Sequence, residues 1–310
     1  MVKKIQLLVD SSPDSDVTAM RAVSMASHLD AVIVATEIRD TRRFDSYRKS
    51  EKAKMLFGRK LERISDLAAD RGVEICDEKS SKAVVDQSKD ILKVAGHIHP
   101  NVVVSSALDS ARRVGLSDRA SELFKYSKHN LLLVKDPQHD ANDFQNILVS
   151  ADSPFDISDY TTEFAESYNA KLTAVKVVDL EEGLVKERPV YLSEVSSSPT
   201  PGMPRRQLGD TVKTSETLLT KMKESGIRRG QAMVDAVADV AHDRGVEVET
   251  KVLIGKRDDE LAKFSKQQQI DLLMLGSNRE NLIKRLMHKT APESIARKVD
   301  SSVFAVRKVA

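Results

Sequence analysis

The chain has 310 residues, enough for about two domains, and 40% of them are hydrophobic while 31% are charged. This balance supports buried cores and excludes an intrinsically disordered chain. The formal net charge of +2 gives no reason to expect a nucleic-acid binder or a protein of anionic membrane surfaces.

A single cysteine, Cys76, excludes an internal disulfide and a structural zinc site built from several thiolates. The apolar run at residues 5–9 is too short for the core of a signal peptide. No other run approaches the roughly 20 apolar residues of a membrane span. We therefore expect a cytoplasmic protein without a membrane span.

Short apolar runs alternate with helical patterns along the chain, and each run predicts a strand buried on both faces of a parallel sheet. The predicted strands are residues 5–9, 31–36, 73–76, 102–105 and 131–134, then 147–151, 172–177, 246–253, 272–275 and 303–306. Gly72 and Gly245 each follow a helical pattern and are predicted to end that helix just before a strand. This alternation predicts βαβ units and a doubly wound sheet.

The second half of the chain repeats the first. The matched segments are 5–11 with 147–153 at an offset of 142 residues, 70–74 with 243–247 at 173, 101–104 with 271–274 at 170, and 131–134 with 303–306 at 172. The offset rises once and then stays nearly constant, which indicates one net insertion in the second copy. We therefore predict two α/β domains, residues 1–137 and 144–310, joined by a polar linker.

The insertion is rich in proline. Pro189, Pro199, Pro201 and Pro204 lie in it, together with a run of three serines. Proline at this density sustains neither a helix nor a central strand, so residues 187–210 are predicted to form a mobile surface loop.

A ligand of an open α/β sheet binds beyond the carboxyl ends of the strands, where the strand order reverses. In the second copy, Asp152 and Ser153 follow the first strand, and Gly276 begins the segment after the fourth strand. Thr290 and Glu293 match a capping box, which predicts a helix start whose spare amides form a potential anion site. Asp152 and Thr290 also have purely structural interpretations, as a turn residue and a helix cap.

These features resemble the universal stress protein family in its two-domain form, over about residues 4–135 and 145–308. The shared features are the strand followed by Asp-Ser, the Asp-Arg-Gly-Val-Glu motif, and the strand, glycine loop, threonine and helix at the end of the second copy. The resemblance implies an adenine nucleotide alpha hydrolase-like fold with two tandem doubly wound five-stranded parallel sheets of strand order 3-2-1-4-5. It also implies that the halves pair as an intramolecular pseudo-dimer through residues 131–134 and 303–306, and it leaves further dimerisation open.

Many members of that family bind ATP through the pattern Gly-x2-Gly-x9-Gly-Ser/Thr after the fourth strand, while an Asp at the end of the first strand contacts the nucleoside. The second copy keeps this spacing, but Arg279 and Lys289 replace two of the glycines. The implied ligand is ATP or another adenine nucleotide, with Mg²⁺ only as a companion of the nucleotide. The nucleotide-binding residues implied by the resemblance are Asp152, Ser153, Val177, Gly255, Gly276, Ser277, Arg279, Lys289 and Thr290.

The two replaced glycines have opposing effects. A side chain adds bulk beside the phosphates, and a non-glycine residue in the left-handed conformation costs roughly 1–2 kcal/mol. Against this, Arg279 and Lys289 are cations that can contact phosphate directly. The first copy is the poorer candidate, because no glycine follows its fourth strand, Asp109 would repel a polyphosphate, and Asp10 is interpreted as a turn residue.

Three functions remain open from the sequence. The first is a non-enzymatic stress-response protein that binds an adenine nucleotide in its second copy. The second is a nucleotide-independent interaction protein with two degenerate sites, acting on unknown protein partners through residues 187–210 or 282–287. The third is a weak ATPase, for which the sequence identifies no general base. No nucleophile elbow, His-Glu-x-x-His motif or phosphate-binding GKS/T loop is present in the sequence.

Overall fold

Nine strands form one continuous sheet in the described part of this computed structural model, which covers residues 2–10, 12, 14–38, 51–76, 88–108, 115–135, 143–152, 154–179, 205–277 and 291–307. The strands are β1 Lys4–Val9, β2 Val32–Glu37, β3 Val102–Ser106, β4 Asn130–Val134, β5 Asn146–Ser150, β6 Lys171–Val178, β7 Val248–Ile254, β8 Leu272–Ser277 and β9 Ser302–Arg307. The helices are α1 Asp14–Leu29, α2 Glu51–Asp70, α3 Ser88–Ile98, α4 Asp118–Tyr126, α5 Pro154–Tyr168, α6 Arg205–His242, α7 Arg257–Gln267 and α8 Ala291–Lys298.

The strand order of the sheet is β2-β1-β3-β4-β9-β8-β5-β6-β7. We call residues 2–135 half one and residues 143–307 half two. Half two has the order 3-2-1-4-5 counted within its own five strands, as predicted. Half one has the same order, but its third position is a single bridge between Ile33 and Ile75. The strand predicted at residues 73–76 is therefore reduced to one paired residue in the described ranges. The predicted strand is four residues long, whereas β7 in half two has seven residues.

The two halves meet through their fifth strands, β4 and β9. These strands pair in antiparallel fashion, with Leu132 opposite Phe304, whereas the other neighbouring strands pair in parallel. The two parallel units expected from the sequence are therefore joined into one continuous sheet instead of forming two. The physical reason is that each fifth strand is an apolar edge, whose unpaired amides and carbonyls would otherwise have no partner.

Helices cover both faces of the sheet and form two core layers. Helices α1, α2, α5 and α6 pack on the face that carries Leu7 and Met274, whereas α3, α4, α7 and α8 pack on the face that carries Leu8 and Leu273. Adjacent strand residues thus alternate between two apolar layers, which explains why the strands appear in the sequence as unbroken apolar runs. None of the helices in the described ranges is long and apolar enough to cross a membrane.

Gly72 and Gly245 end α2 and α6 in the same way, as the sequence predicts. Their φ angles are +67° and +73°, in the left-handed region that favours glycine. The next residue in each case, Val73 or Val246, donates its amide to the carbonyl five residues back, at 2.8 Å and 2.9 Å. The two halves therefore share this local geometry as well as their strand order.

Helix α6 begins at Arg205, so the part of the predicted loop at residues 205–210 is helical instead. The last proline of the insertion is Pro204, and the sequence after it has no further proline before the helix ends. Helix formation from Arg205 is therefore unobstructed. The rest of the predicted loop, residues 187–204, lies outside the described residues.

Candidate functional site

The carboxyl ends of three neighbouring strands form the predicted crevice of half two. Ser150 at the end of β5 pairs with Leu275 of β8 on one side and Val175 of β6 on the other. Strand order reverses around β5, so this edge is the switch point where open α/β sheets bind ligands. The predicted site residues that the structure brings to this edge are Asp152, Val177, Gly255, Gly276 and, by its backbone, Ser277. The other predicted site residues, Ser153, Arg279, Lys289 and Thr290, lie outside the described residues.

The Asp152 carboxylate lies between two cations of its own half. Lys176 on β6 places its Nζ 2.6 Å from Oδ1, and Arg257 at the start of α7 places Nη1 3.1 Å from Oδ2. The Ser150 hydroxyl donates to Oδ2 at 2.7 Å. Burial raises the pKa of the Asp152 carboxyl, but Arg257 and Lys176 outweigh burial and hold the pKa below its usual value. Asp152 is therefore an anion at neutral pH.

Three properties of this cluster bear on ligand binding: the donors to Asp152, its exposure and the net charge. The Asp152 carboxylate has about four acceptor positions, and three donors among the described residues, Lys176, Arg257 and Ser150, contact it. The Asp152 side chain is 24% exposed, so a ligand can reach it. One carboxylate and two cations carry a net charge of +1, which favours an anionic ligand.

Sequence reasoning missed Lys176 and Arg257. Lys176 stands among apolar residues near the end of β6, and a charge at that position is a signal that could have found it. Arg257 gives no such signal, because its contact with Asp152 depends on how α7 packs against the sheet. Both cations approach Asp152 from the β6 and β7 side of β5, whereas Gly276 lies on the β8 side.

Val177 is only 4% exposed and lies in the core layer that includes Leu273 and Leu275. Because side chains alternate along a strand, it points to the face of β6 opposite Lys176. The structure thus places Val177 in the apolar core at this end of β6, where Lys176 is the polar side chain.

Gly255 forms the turn between β7 and α7. Its φ is +147°, and a Cβ there would lie 2.9 Å from Cγ of Glu260. Its amide donates to the Val178 carbonyl at 3.1 Å, which joins the ends of β7 and β6. Gly255 therefore has a structural role that follows from its conformation, since it sets the direction in which the chain enters α7 and brings Arg257 to Asp152.

Gly276 differs from Gly255. It lies in β8, its φ is outside the left-handed region, and a Cβ there would meet only the Cβ of Ile157, at 4.0 Å, among the described atoms. An added methyl group would thus make ordinary van der Waals contact. The described residues therefore do not require glycine at this position.

Half one has the corresponding acid, Asp10, but a different partner. Arg119 in the first turn of α4 places Nη2 2.9 Å from Oδ2 of Asp10, and the two side chains are 21% and 18% exposed. Ser12 donates its amide and its hydroxyl to Oδ1 of Asp10, as expected for a turn residue. Burial raises the pKa of the Asp10 carboxyl, but Arg119 and the Ser12 hydrogen bonds outweigh burial and hold the pKa below its usual value.

A second cation, Lys60 of α2, lies below the end of β1. Its Nζ donates to the carbonyl oxygens of Asp10 at 2.9 Å and Ser12 at 2.5 Å, and lies 3.4 Å from Oδ1 of Asp16. Three groups that contact this strand end, Arg119, Ser12 and Lys60, all belong to half one. Neither Lys60 nor Arg119 was predicted from the sequence, because both come from helices distant in the chain.

The repeat allows a position-by-position comparison of the two crevices. Arg119 has Ala291 as its counterpart, at the same offset of 172 residues that relates β4 to β9. The strand registers likewise place Glu37 of β2 and Lys176 of β6 at equivalent positions. The Arg119 ion pair spans half one from the end of β1 to the helix after β3, whereas an alanine cannot form that pair in half two.

Known proteins resemble half two in sequence and nearly the whole chain in fold. A family model described as "Universal stress protein family" matches residues 144–307. A universal stress protein from Archaeoglobus fulgidus DSM 4304 is 13% identical with a TM-score of 0.64, and the match covers 99% of this chain and 98% of that chain. A candidate universal stress protein from Pseudomonas aeruginosa UCBPP-PA14 is 12% identical with a TM-score of 0.65, over 99% and 93% of the two chains. At these identities the solved structures support the fold alone. No curated protein matches the chain.

Proposed function

This chain belongs to the universal stress protein family, and from that premise we propose that it is a stress-response protein without a catalytic step, which binds ATP or another adenine nucleotide in half two only. The single observation that carries the proposal is the Arg119–Asp10 ion pair of half one, whose arginine is replaced by Ala291 in half two. We further propose that residues 1–137 and 144–310 are two universal stress units that pair as a pseudo-dimer within one chain.

The residues of half two suggest an orientation for the nucleotide. The nucleoside lies over the ends of β5 and β6, where the Asp152 carboxylate accepts a hydroxyl or amino donor of the nucleoside. The phosphates extend past Gly276 toward Arg279, Lys289 and Thr290. Ser153, Ser277 and Gly255 border this path. Mg²⁺ accompanies the phosphates, and we assign no protein ligand to it.

The charges near the crevice support an anionic ligand in half two. Lys176 and Arg257 outnumber Asp152, and the chain carries Arg279 and Lys289 on the segment after β8. In half one, Glu37 occupies the position of Lys176, so the acids there balance the two cations that contact the end of β1. A nucleotide polyphosphate is thus attracted to one crevice and not to the other.

The test is to close the crevice of half two with the arginine of half one. We expect the wild-type protein to bind Mg-ATP in isothermal titration calorimetry, and Ala291→Arg to abolish the heat of binding because the new side chain pairs with Asp152. Ala291→Met, which adds similar length without charge, should retain most of the binding. Arg119→Ala should leave binding unchanged, since half one does not hold the nucleotide.

Two results would contradict the proposal. One is no binding by the wild type at millimolar Mg-ATP, and the other is full binding by Ala291→Arg. Thermal unfolding of each variant serves as the control for folding.

A second candidate function is a nucleotide-independent interaction protein. It is favoured by the ion pairs that both Asp10 and Asp152 already form within the chain. Mass spectrometry of the purified protein separates the two candidates, because a co-purifying nucleotide supports the first. Partners that remain bound after nucleotide is removed support the second.

A further inference from the structure

Two buried cations cross the junction between the halves. Lys135 follows β4 directly, is 5% exposed, and donates Nζ to the carbonyl of Ala296 at 2.7 Å and to that of Val299. Arg307 ends β9, is 3% exposed, and donates Nη2 to the carbonyl of Phe124 while its guanidinium lies 5.2 Å from the centre of the Phe124 ring. Each cation thus binds the last helix of the opposite half.

These contacts are equivalent in the two halves. The offset of 172 residues relates Lys135 to Arg307, and the same offset relates their acceptors Phe124 and Ala296. The backbone amides of the two cations are also held alike, since Lys135 donates to Ser302 Oγ at 3.3 Å and Arg307 donates to Asn130 Oδ1 at 2.7 Å. The repetition on both sides of the junction makes an accidental contact a poor explanation.

A second pair of contacts flanks the first. Arg297 of α8 donates Nη2 to Ser121 Oγ of α4 at 2.6 Å, and Lys125 of α4 lies 3.8 Å from Glu293 Oε2 of α8. The offset of 172 residues also relates these two contacts to each other. Helices α4 and α8 are therefore joined directly across the junction as well as through the two strand ends.

The chemistry of a helix end explains why cations occupy these positions. The last carbonyls of a helix have no partner within the helix, and the helix dipole makes that end negative. A buried cation satisfies both the hydrogen bonds and the charge. The two acceptors of Lys135 require only two N–H donors, which the amine of Lys135 supplies whether it is protonated or neutral.

The other ends of the same two helices reach the crevices. Arg119, which pairs with Asp10, lies in the first turn of α4, and α8 begins at Ala291, directly after Thr290. We infer that each half holds the crevice helix of the other half, so that Lys135 of half one is a positioning residue for the site of half two. The nucleotide part of this inference rests on the proposed function, whereas the anchoring of the helices does not.

Hydrogen exchange on the full-length protein tests the anchoring without any nucleotide. We expect Lys135→Met to accelerate amide exchange in α8 by about tenfold relative to α7, although Lys135 belongs to half one. Arg307→Met should accelerate exchange in α4 instead. Lys135→Arg should keep the wild-type protection of α8 against amide exchange, because an arginine, Arg307, occupies the equivalent position in half two. The matched control is Lys171→Met, an exposed lysine of β6 that pairs with Glu249.

The inference depends on which helix each substitution affects, because each cation is expected to protect the last helix of the opposite half. Faster exchange in every element, or faster exchange of Lys135→Met in α4 and not in α8, would overturn it. If Lys135→Met does not fold, Lys135→Gln, which keeps two N–H donors on a shorter side chain, should give a smaller change in the same helix.

Calorimetry with Mg-ATP tests the consequence for the site. Lys135→Met should weaken binding roughly fivefold and Lys171→Met should leave it unchanged. Unchanged affinity in Lys135→Met, with α8 exchange accelerated, would overturn the positioning role. Absence of binding in the wild type would overturn the proposed function, while the exchange pattern would still decide the anchoring.

Discussion

The two halves of this molecule place a carboxylate at the end of their first strand and neutralise it with an arginine, but the arginine comes from opposite directions. In half one, Arg119 reaches Asp10 from the helix that follows β3, across the strand-order reversal. In half two, Arg257 and Lys176 reach Asp152 from the β6 and β7 side. The same fold and the same acid thus yield a bridged crevice in one half and an unbridged β5–β8 edge in the described part of the other.

The largest effect on stability and on Mg-ATP binding is expected from a substitution that gives the crevice of half two the charge found in half one. Lys176→Glu introduces the acid found at Glu37 beside Asp152, which removes an ion pair and adds a repulsion. We expect a loss of about 2 kcal/mol in the free energy of unfolding, measured by urea denaturation, and loss of Mg-ATP binding. Lys176→Gln, which removes the charge without reversing it, should lose less. Equal losses in both variants would show that repulsion contributes nothing.

The roles of the two crevice glycines, Gly255 and Gly276, can be distinguished by a matched pair of substitutions. Gly255→Ala should lower the free energy of unfolding by about 2 kcal/mol, because φ is +147° and the new Cβ meets Glu260. Gly276→Ala should change it by less than about 0.5 kcal/mol, since nothing described lies closer than 4.0 Å. A weaker affinity for Mg-ATP in Gly276→Ala at unchanged stability would then assign this glycine to the ligand. Equal stability losses would contradict the assignment.

The junction cations differ in their response to alkali. Burial lowers the pKa of Lys135 to about 8, from 10.5 in an exposed lysine, whereas an arginine stays protonated in this range. Between these two values the unfolded chain binds more protons than the native protein, so stability rises with pH. We expect a rise of about 1–2 kcal/mol from pH 8 to pH 10.5 in urea denaturation. Lys135→Met should remove that rise and Arg307→Met should keep it.

The smallest expected effect is on the free energy of unfolding at acidic pH. The pKa values of Asp10 and Asp152 are lowered in the native protein, so their contribution to stability is complete above about pH 4 and is lost as the pH falls further. We expect Asp10→Asn and Asp152→Asn each to flatten the decline in unfolding free energy below pH 4 by about 1 kcal/mol. An unchanged decline in either variant would show that the corresponding ion pair does not stabilise that half.

The sequence predicts the architecture well for reasons that are local. The strands and the helix ends follow from apolar runs and from Gly72 and Gly245, which act within a few residues, whereas the strand order was implied by the resemblance to the family. The family resemblance placed the junction at residues 131–134 and 303–306, but the merging of the two sheets into one was not predicted, because the partner of an edge strand depends on packing between distant segments. The predicted loop extended to residue 210, past the start of α6 at Arg205, because the prolines before Arg205 dominated the composition of the whole insertion.

The candidate site was predicted less completely. Asp152 and Gly276 were found from their positions after strands, and the structure places both at one edge of the sheet. Lys176, Arg257 and Arg119 were missed, because an ion pair across a crevice is set by the direction of a long side chain in three dimensions. Once the structure is known, the alignment of the two copies shows these differences, since Arg119 aligns with Ala291 and Glu37 aligns with Lys176.

The antiparallel pairing of β4 with β9 affects both the stability of the molecule and the way its two copies can vary in sequence. Because both strands belong to one chain, their association is independent of dilution, and the melting temperature should not vary with protein concentration. A dimer of identical subunits must also accept every substitution twice. Covalent linkage frees each copy to vary alone, which is how one arginine can occupy a single crevice of the two.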